Sequence, residues 1–187
     1  MYSRILTALF VLVAFAAFVA AHPSPAECEP AHTYKHGGLQ GILEICLDLQ
    51  VKVLAIIKLI VGLGVKADVS AHIREITVCI NAAVKAIVSV CLAGHLDLKD
   101  TVTIQAIAKV IADIMISIHA CVGVIATVSA NVKACAALDL ALKVLCLTLK
   151  AYVSVVVNIV AKLCAVVIDV HVNIVLSTCL RVLGINV

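Results

Sequence analysis

The chain has no tryptophan, and its three phenylalanines and Tyr2 all fall within the first 18 of its 187 residues. Beyond them only Tyr34 and Tyr152 are aromatic, so the core of this protein must be aliphatic. Proline is confined to Pro23, Pro25 and Pro30, and only eight glycines are present. All-β folds need frequent turn residues, so that class is excluded for the long stretch that follows. Charged residues make up 13% of the chain and its formal net charge is +3, which gives no electrostatic reason to expect nucleic acid as a partner. No Cys-x-x-Cys, phosphate loop, dinucleotide fingerprint, zinc-protease helix or hydrolase elbow occurs, which leaves the chain without an enzymatic signature or a cofactor site.

What fills the chain is aliphatic: 64% of residues are hydrophobic and the mean hydropathy is +1.22. Ordinary globular chains sit near 45 to 50%. Met1 to Ala21 carries Arg4, an apolar run from Ile5 to Phe18, and small residues at Val19-Ala20-Ala21. It reads as a secretory signal peptide cleaved after Ala21, with the helix-breaking His22-Pro23-Ser24-Pro25 directly behind. Residues 22–38 then read as a flexible hydrophilic arm, and 39–187 as one helical domain.

The nine cysteines all follow the leader, and an oxidising compartment pairs thiols. Cys46, Cys79, Cys91, Cys121, Cys135, Cys146, Cys164 and Cys179 are the disulfide candidates, with their connectivity open. Cys28, in the arm, is left over for an intermolecular bond or a free thiol, or pairs internally and leaves another unpaired.

Glu44, Asp48, Lys52, Lys58 and Lys66 recur near the helical period, which predicts a helix over about 39–63 stopped by Gly62-Leu63-Gly64. A second is predicted from Asp68 or Ser70, as N-cap, to Gly94. A third starts at Asp100 or Thr101, keeps Gln105, Lys109, Asp113 and Ser117 four apart, and reaches about Ser129. From Asn131 to Leu183 nothing breaks the chain, yet one helix of that length would span roughly 80 Å. The polar stripe from Lys143 to Arg181 also drifts by roughly 200° around an ideal helix. Two helices are therefore expected, divided between Leu147 and Asn158. The fold class is an all-α, disulfide-linked bundle of four to five long aliphatic amphipathic helices.

On one continuous helix Cys135, Cys146 and Cys164 would fall within about 20° of a line and face one neighbour. Glu44 and Asp48 are explained as a solvated helix face rather than an acid/base pair. The arm residues His22, His32 and His36, with Cys28, offer imidazole and thiolate of the kind that suits copper or zinc, but nothing fixes a ligand geometry and no metal site is assigned. His119 and His171 are expected as core or boundary histidines.

A leader, a short hydrophilic arm and an aliphatic region with eight dispersed cysteines resembles a family of small secreted proteins of mushroom-forming fungi. These sit in the cell wall and extracellular matrix beside hydrophobins and help aerial hyphae form and attach. The resemblance implies a structural, surface-active wall component, with self-association, hydrophobic surfaces or wall matrix, and lipid as partners. Cys28 departs from that layout. Two other classes compete: a soluble carrier of lipid or another apolar ligand, and a polytopic membrane protein. Against the last, almost every 20-residue window holds two or three charged residues, each costing about 2.5 to 3.5 kcal/mol at a bilayer centre.

Overall fold

A computed structural model describes residues 37–64, 68–94, 96–125, 129–167 and 177–184. The leader and nearly all of the arm lie outside the described residues. The described residues form six helices in chain order: α1 (Gly38–Leu63), α2 (Ser70–Ala93), α3 (Thr101–Ile125), α4 (Ser129–Tyr152), α5 (Ser154–Val167) and the short α6 (Ser177–Val182). No strand occurs among the described residues.

Each long helix buries one stripe at steps of three and four. In α1 the stripe is Ile42, Ile45, Leu49, Val53, Ile56 and Ile60; in α2 it is Ile73, Ile76, Ile80, Ala83 and Ile87. Ile104, Ile107, Ile111, Ile114 and Ile118 repeat it in α3, and Leu138, Leu142, Leu145 and Leu149 in α4. These stripes, with Val156, Val160 and Cys164 of α5, form one continuous aliphatic core. Burying a side chain of this size contributes roughly 1.5 to 3 kcal/mol, which is why β-branched residues of modest helix propensity stay helical here.

The long helices are neighbours in a closed ring, α1–α2–α4–α5–α3 and back to α1, with α6 lying against α4. Chain order and spatial order therefore differ. The start of α1 meets the end of α2: a Cβ built on Gly94 would stand 3.1 Å from the Gly38 nitrogen. At the opposite pole, buried Asn131 of α4 ties three helix ends together. Its Oδ1 accepts the Val69 N–H at 3.1 Å, and its Nδ2 donates to the Ile125 carbonyl, also at 3.1 Å.

The helix ends follow the predicted chemistry with small displacements. Gly64, at φ +88, closes α1 in a conformation that favours glycine, and Gly94 closes α2. Asp100 caps α3, its Oδ1 accepting the Thr103 N–H at 3.0 Å. For α2 the N-cap position is Val69, between the two residues expected; Asp68 still serves it by accepting the Ser70 N–H at 3.0 Å. The third helix stops at Ile125 rather than Ser129, which begins α4 instead. Between α4 and α5 the break falls at Val153, inside the expected interval.

Candidate functional site

Two features carry chemistry: a set of thiols inside the bundle and the aliphatic side chains outside it. The thiols of Cys46, Cys91, Cys121, Cys135, Cys146, Cys164 and Cys179 are free, so the expected disulfide linkage of the bundle is not shown by these seven candidates. Cys79 is not one of the free thiols, and Cys28 lies outside the described residues.

The fold brings some of these cysteines together. Cys146 Sγ of α4 lies 3.7 Å from Cys179 Sγ of α6, both buried. Cys164 of α5 stands close enough to feel charge on Cys146, which requires the chain to double back at Val153, since 18 residues of straight helix would separate them by roughly 27 Å. The single line of Cys135, Cys146 and Cys164 drawn on a continuous helix is therefore corrected: Cys164 returns beside Cys146, and the thiol that feels Cys135 is Cys121 of α3. Cys46 and Cys91 show no such neighbour among the influences on their own thiols, which are burial alone.

Burial makes Cys46, Cys121 and Cys164 poor nucleophiles. It pushes Cys46 up to about 12, and does the same to Cys121 and Cys164 with help from Cys135 and Cys146 respectively. The Cys179 thiol is held neutral first by its contact with Cys146 and then by burial. Reactive cysteines have depressed values, so catalysis by these groups has no support. Buried Asp139 stands beside this cluster, its Oδ1 accepting the Cys179 N–H at 2.9 Å and so fastening α6 to α4.

The remaining candidates are dispersed. Asp48 pairs with Lys52 at 3.0 Å along α1, as a solvated helix face should. His119 is half-buried and its imidazole is disfavoured from protonating by that burial. The arm histidines and His171 lie outside the described residues. Among the described residues no three His, Cys, Asp or Glu side chains are placed to hold a metal ion.

The second feature is the surface. Among the described residues fifteen large aliphatic side chains are exposed outside the core, Leu92 and Val102 at 75% and 77%. They concentrate on two helices. Leu47, Val51, Leu59, Val61 and Leu63 lie on α1, and Val132, Leu140, Val144 and Leu147 on α4. The composition of the chain signals such a surplus, but only the fold shows which helices display it. By length and composition α2 and α3 are able to cross a membrane, although α3 is mostly buried inside the bundle.

No protein-family model, no curated protein and no solved structure matches the chain.

Proposed function

We propose that this protein is a non-enzymatic, secreted, structural and surface-active component of a cell wall or extracellular matrix, serving aerial growth and attachment. What supports this reading is the set of large aliphatic side chains left exposed outside the core among the described residues. A soluble protein exposes contiguous apolar patches where it meets a partner, a lipid or an interface. Buried thiols with no activating environment, and no convergent polar set among the described residues, fit a structural role better than a chemical one. The leader-like first 21 residues and the layout of arm and cysteines support secretion and a wall location.

Oxidation belongs to the same reading. In an oxidising compartment Cys146 and Cys179 form a bridge, turning a packed bundle into a stapled one.

The test is fractionation of the native protein followed by surface tensiometry of whatever is soluble. Recovery from medium or wall without residues 1–21, together with a large fall in surface tension, supports the reading. Recovery only in detergent with the leader retained would replace it with a membrane protein. A surface-inactive monomer that co-purifies with apolar ligand would replace it with a carrier.

A further inference from the structure

The charges of the described residues are divided unevenly. The described acidic residues other than Asp139 belong to α1–α3 and the loops joining them: Asp68, Glu75, Asp97 and Asp100 are exposed, and Glu44, Asp48 and Asp113 half-buried. In α4, α5 and α6 the one described acid is Asp139, which is 6% exposed and bonded to the Cys179 N–H. The same three helices present Lys133, Lys143, Lys150, Lys162 and Arg181, all exposed except half-buried Lys143. Among the described residues this half of the bundle therefore carries five cationic side chains against the one carboxyl group of Asp139.

The exposed aliphatic residues of α4 lie in that field. At 100° per residue Val132, Ala136, Leu140, Val144 and Leu147 cover an arc of roughly 120°, and they extend along roughly 22 Å of the helix. Lys150 falls on one border of this arc and Lys143 about 20° inside it, and Lys133 lies about 20° inside the other border. The outer face of α1 is equally aliphatic but differs in charge: Glu44 and Asp48 stand beside it, and Lys52 is taken up by Asp48. An amphipathic helix with aliphatic residues in the middle and lysines at the border lies in the headgroup region of a bilayer, with its apolar side chains a few ångströms deep. Anionic headgroups supply the charge that this face lacks. A soluble polyanion would satisfy the lysines but leave Leu140, Val144 and Leu147 in water.

We propose that the outward face of α4, which carries Lys143 and Lys150, docks on an anionic lipid surface. This deepens the surface-active reading and rests on it, by naming the lipid class and the helix that meets it.

Sedimentation of the purified protein with vesicles of phosphatidylcholine alone, or with about one third phosphatidylglycerol, tests the proposal. Partitioning is expected to be at least about tenfold stronger on the anionic vesicles and to fall with added salt. The double variant Lys143→Glu, Lys150→Glu is expected to lose at least about tenfold on anionic vesicles and to behave as wild type on neutral ones. Leu140→Asp should weaken both, and an unchanged helical circular dichroism spectrum shows that these exposed positions leave the fold intact. Equal partitioning on the two vesicle types overturns the proposal, as does a double variant that binds like wild type, or binding to dextran sulfate without binding to vesicles. Surface tension measured on the same samples separates the two readings. A strong fall in tension with no anionic preference rejects the lipid surface and keeps surface activity, whereas no fall and no vesicle binding rejects both.

Discussion

Cys146 Sγ and Cys179 Sγ lie 3.7 Å apart in the core, although the two residues are 33 positions apart in the chain. A disulfide needs about 2.05 Å, a closing that side-chain rotation and a small shift of the short α6 can supply. Two thiols give up two protons and two electrons, which a small-molecule disulfide such as oxidised glutathione accepts as it becomes two thiols.

Exposure to oxidised glutathione should therefore remove the Cys146 and Cys179 thiols as a pair, and a non-reducing digest should contain the cross-linked peptide. A loop of this size is worth roughly 3 to 4 kcal/mol, so the oxidised protein should melt several degrees above the reduced one. Cys179→Ser should abolish that increment and leave the Cys146 thiol open to pairing with Cys164. A peptide map that joins Cys146 to Cys164 in the wild-type protein would refute the assignment.

Asn131 supports three helix ends at once, accepting from Val69 and donating to Ile125 while fully buried. Replacing it by leucine leaves a buried N–H and a buried carbonyl without this partner, each costing about 1 to 3 kcal/mol. Asn131→Leu is expected to destabilise the bundle by roughly 2 to 5 kcal/mol in urea unfolding. Val132→Leu, one residue away on an exposed position, should change stability by less than about 0.5 kcal/mol.

How much of this was legible in the sequence depends on where the chain carries a marker. Gly64, Gly94 and Asp100 each have a backbone or side-chain reason to end or begin a helix, and the first three helices fall close to where those residues place them. Ile125 and Val153 carry no such reason, so the end of α3 was set four residues too far and the α4–α5 corner was located only as an interval. That corner was betrayed indirectly, because the polar residues after Lys143 drift too far around one helix to share a face. The thiol cluster was hidden for the same cause. Cys146 meets Cys164 only if the chain folds back at Val153, and a helical wheel drawn through the corner gives the wrong neighbours. Asn131 and Asp139 passed unnoticed because a single polar residue in an aliphatic helix has the same spacing whether it faces water or ties down a neighbouring segment.

The close approach of α1 and α2 gives a contrast between two glycines. A Cβ on Gly94 would meet the Gly38 nitrogen at 3.1 Å and the Val90 carbonyl oxygen at 3.4 Å, both backbone atoms that yield only if a helix end moves. Gly62 sits inside the last turn of α1 with nothing within 4 Å of such a Cβ. Gly62→Ala is therefore expected to stabilise by roughly 0.5 to 1 kcal/mol through reduced freedom of the unfolded chain. Gly94→Ala should destabilise, and thermal melting of the two variants beside wild type should show shifts of opposite sign.

Asp113 and Asp100 lie at two turns of one helix or its cap, yet acid should act on them in opposite directions. The Thr103 side chain and N–H hold the Asp100 carboxyl below the ordinary value of 3.8, so its contribution is present above that value and disappears as pH falls through the lowered one. Burial pushes Asp113 above 3.8 in spite of Lys109 and Gln50, so the folded state binds its proton more tightly than the unfolded chain does. Stability associated with Asp113 is then fullest below 3.8 and is lost as pH rises through the raised folded value. Asp113→Asn keeps the hydrogen-bonding shape and removes the buried charge. Its melting temperature should exceed that of wild type at neutral pH, and the difference should shrink to nothing as pH falls below 3.8. A gain of the same size at every pH would mean that the substitution acts through packing and that the buried charge at Asp113 costs the fold nothing.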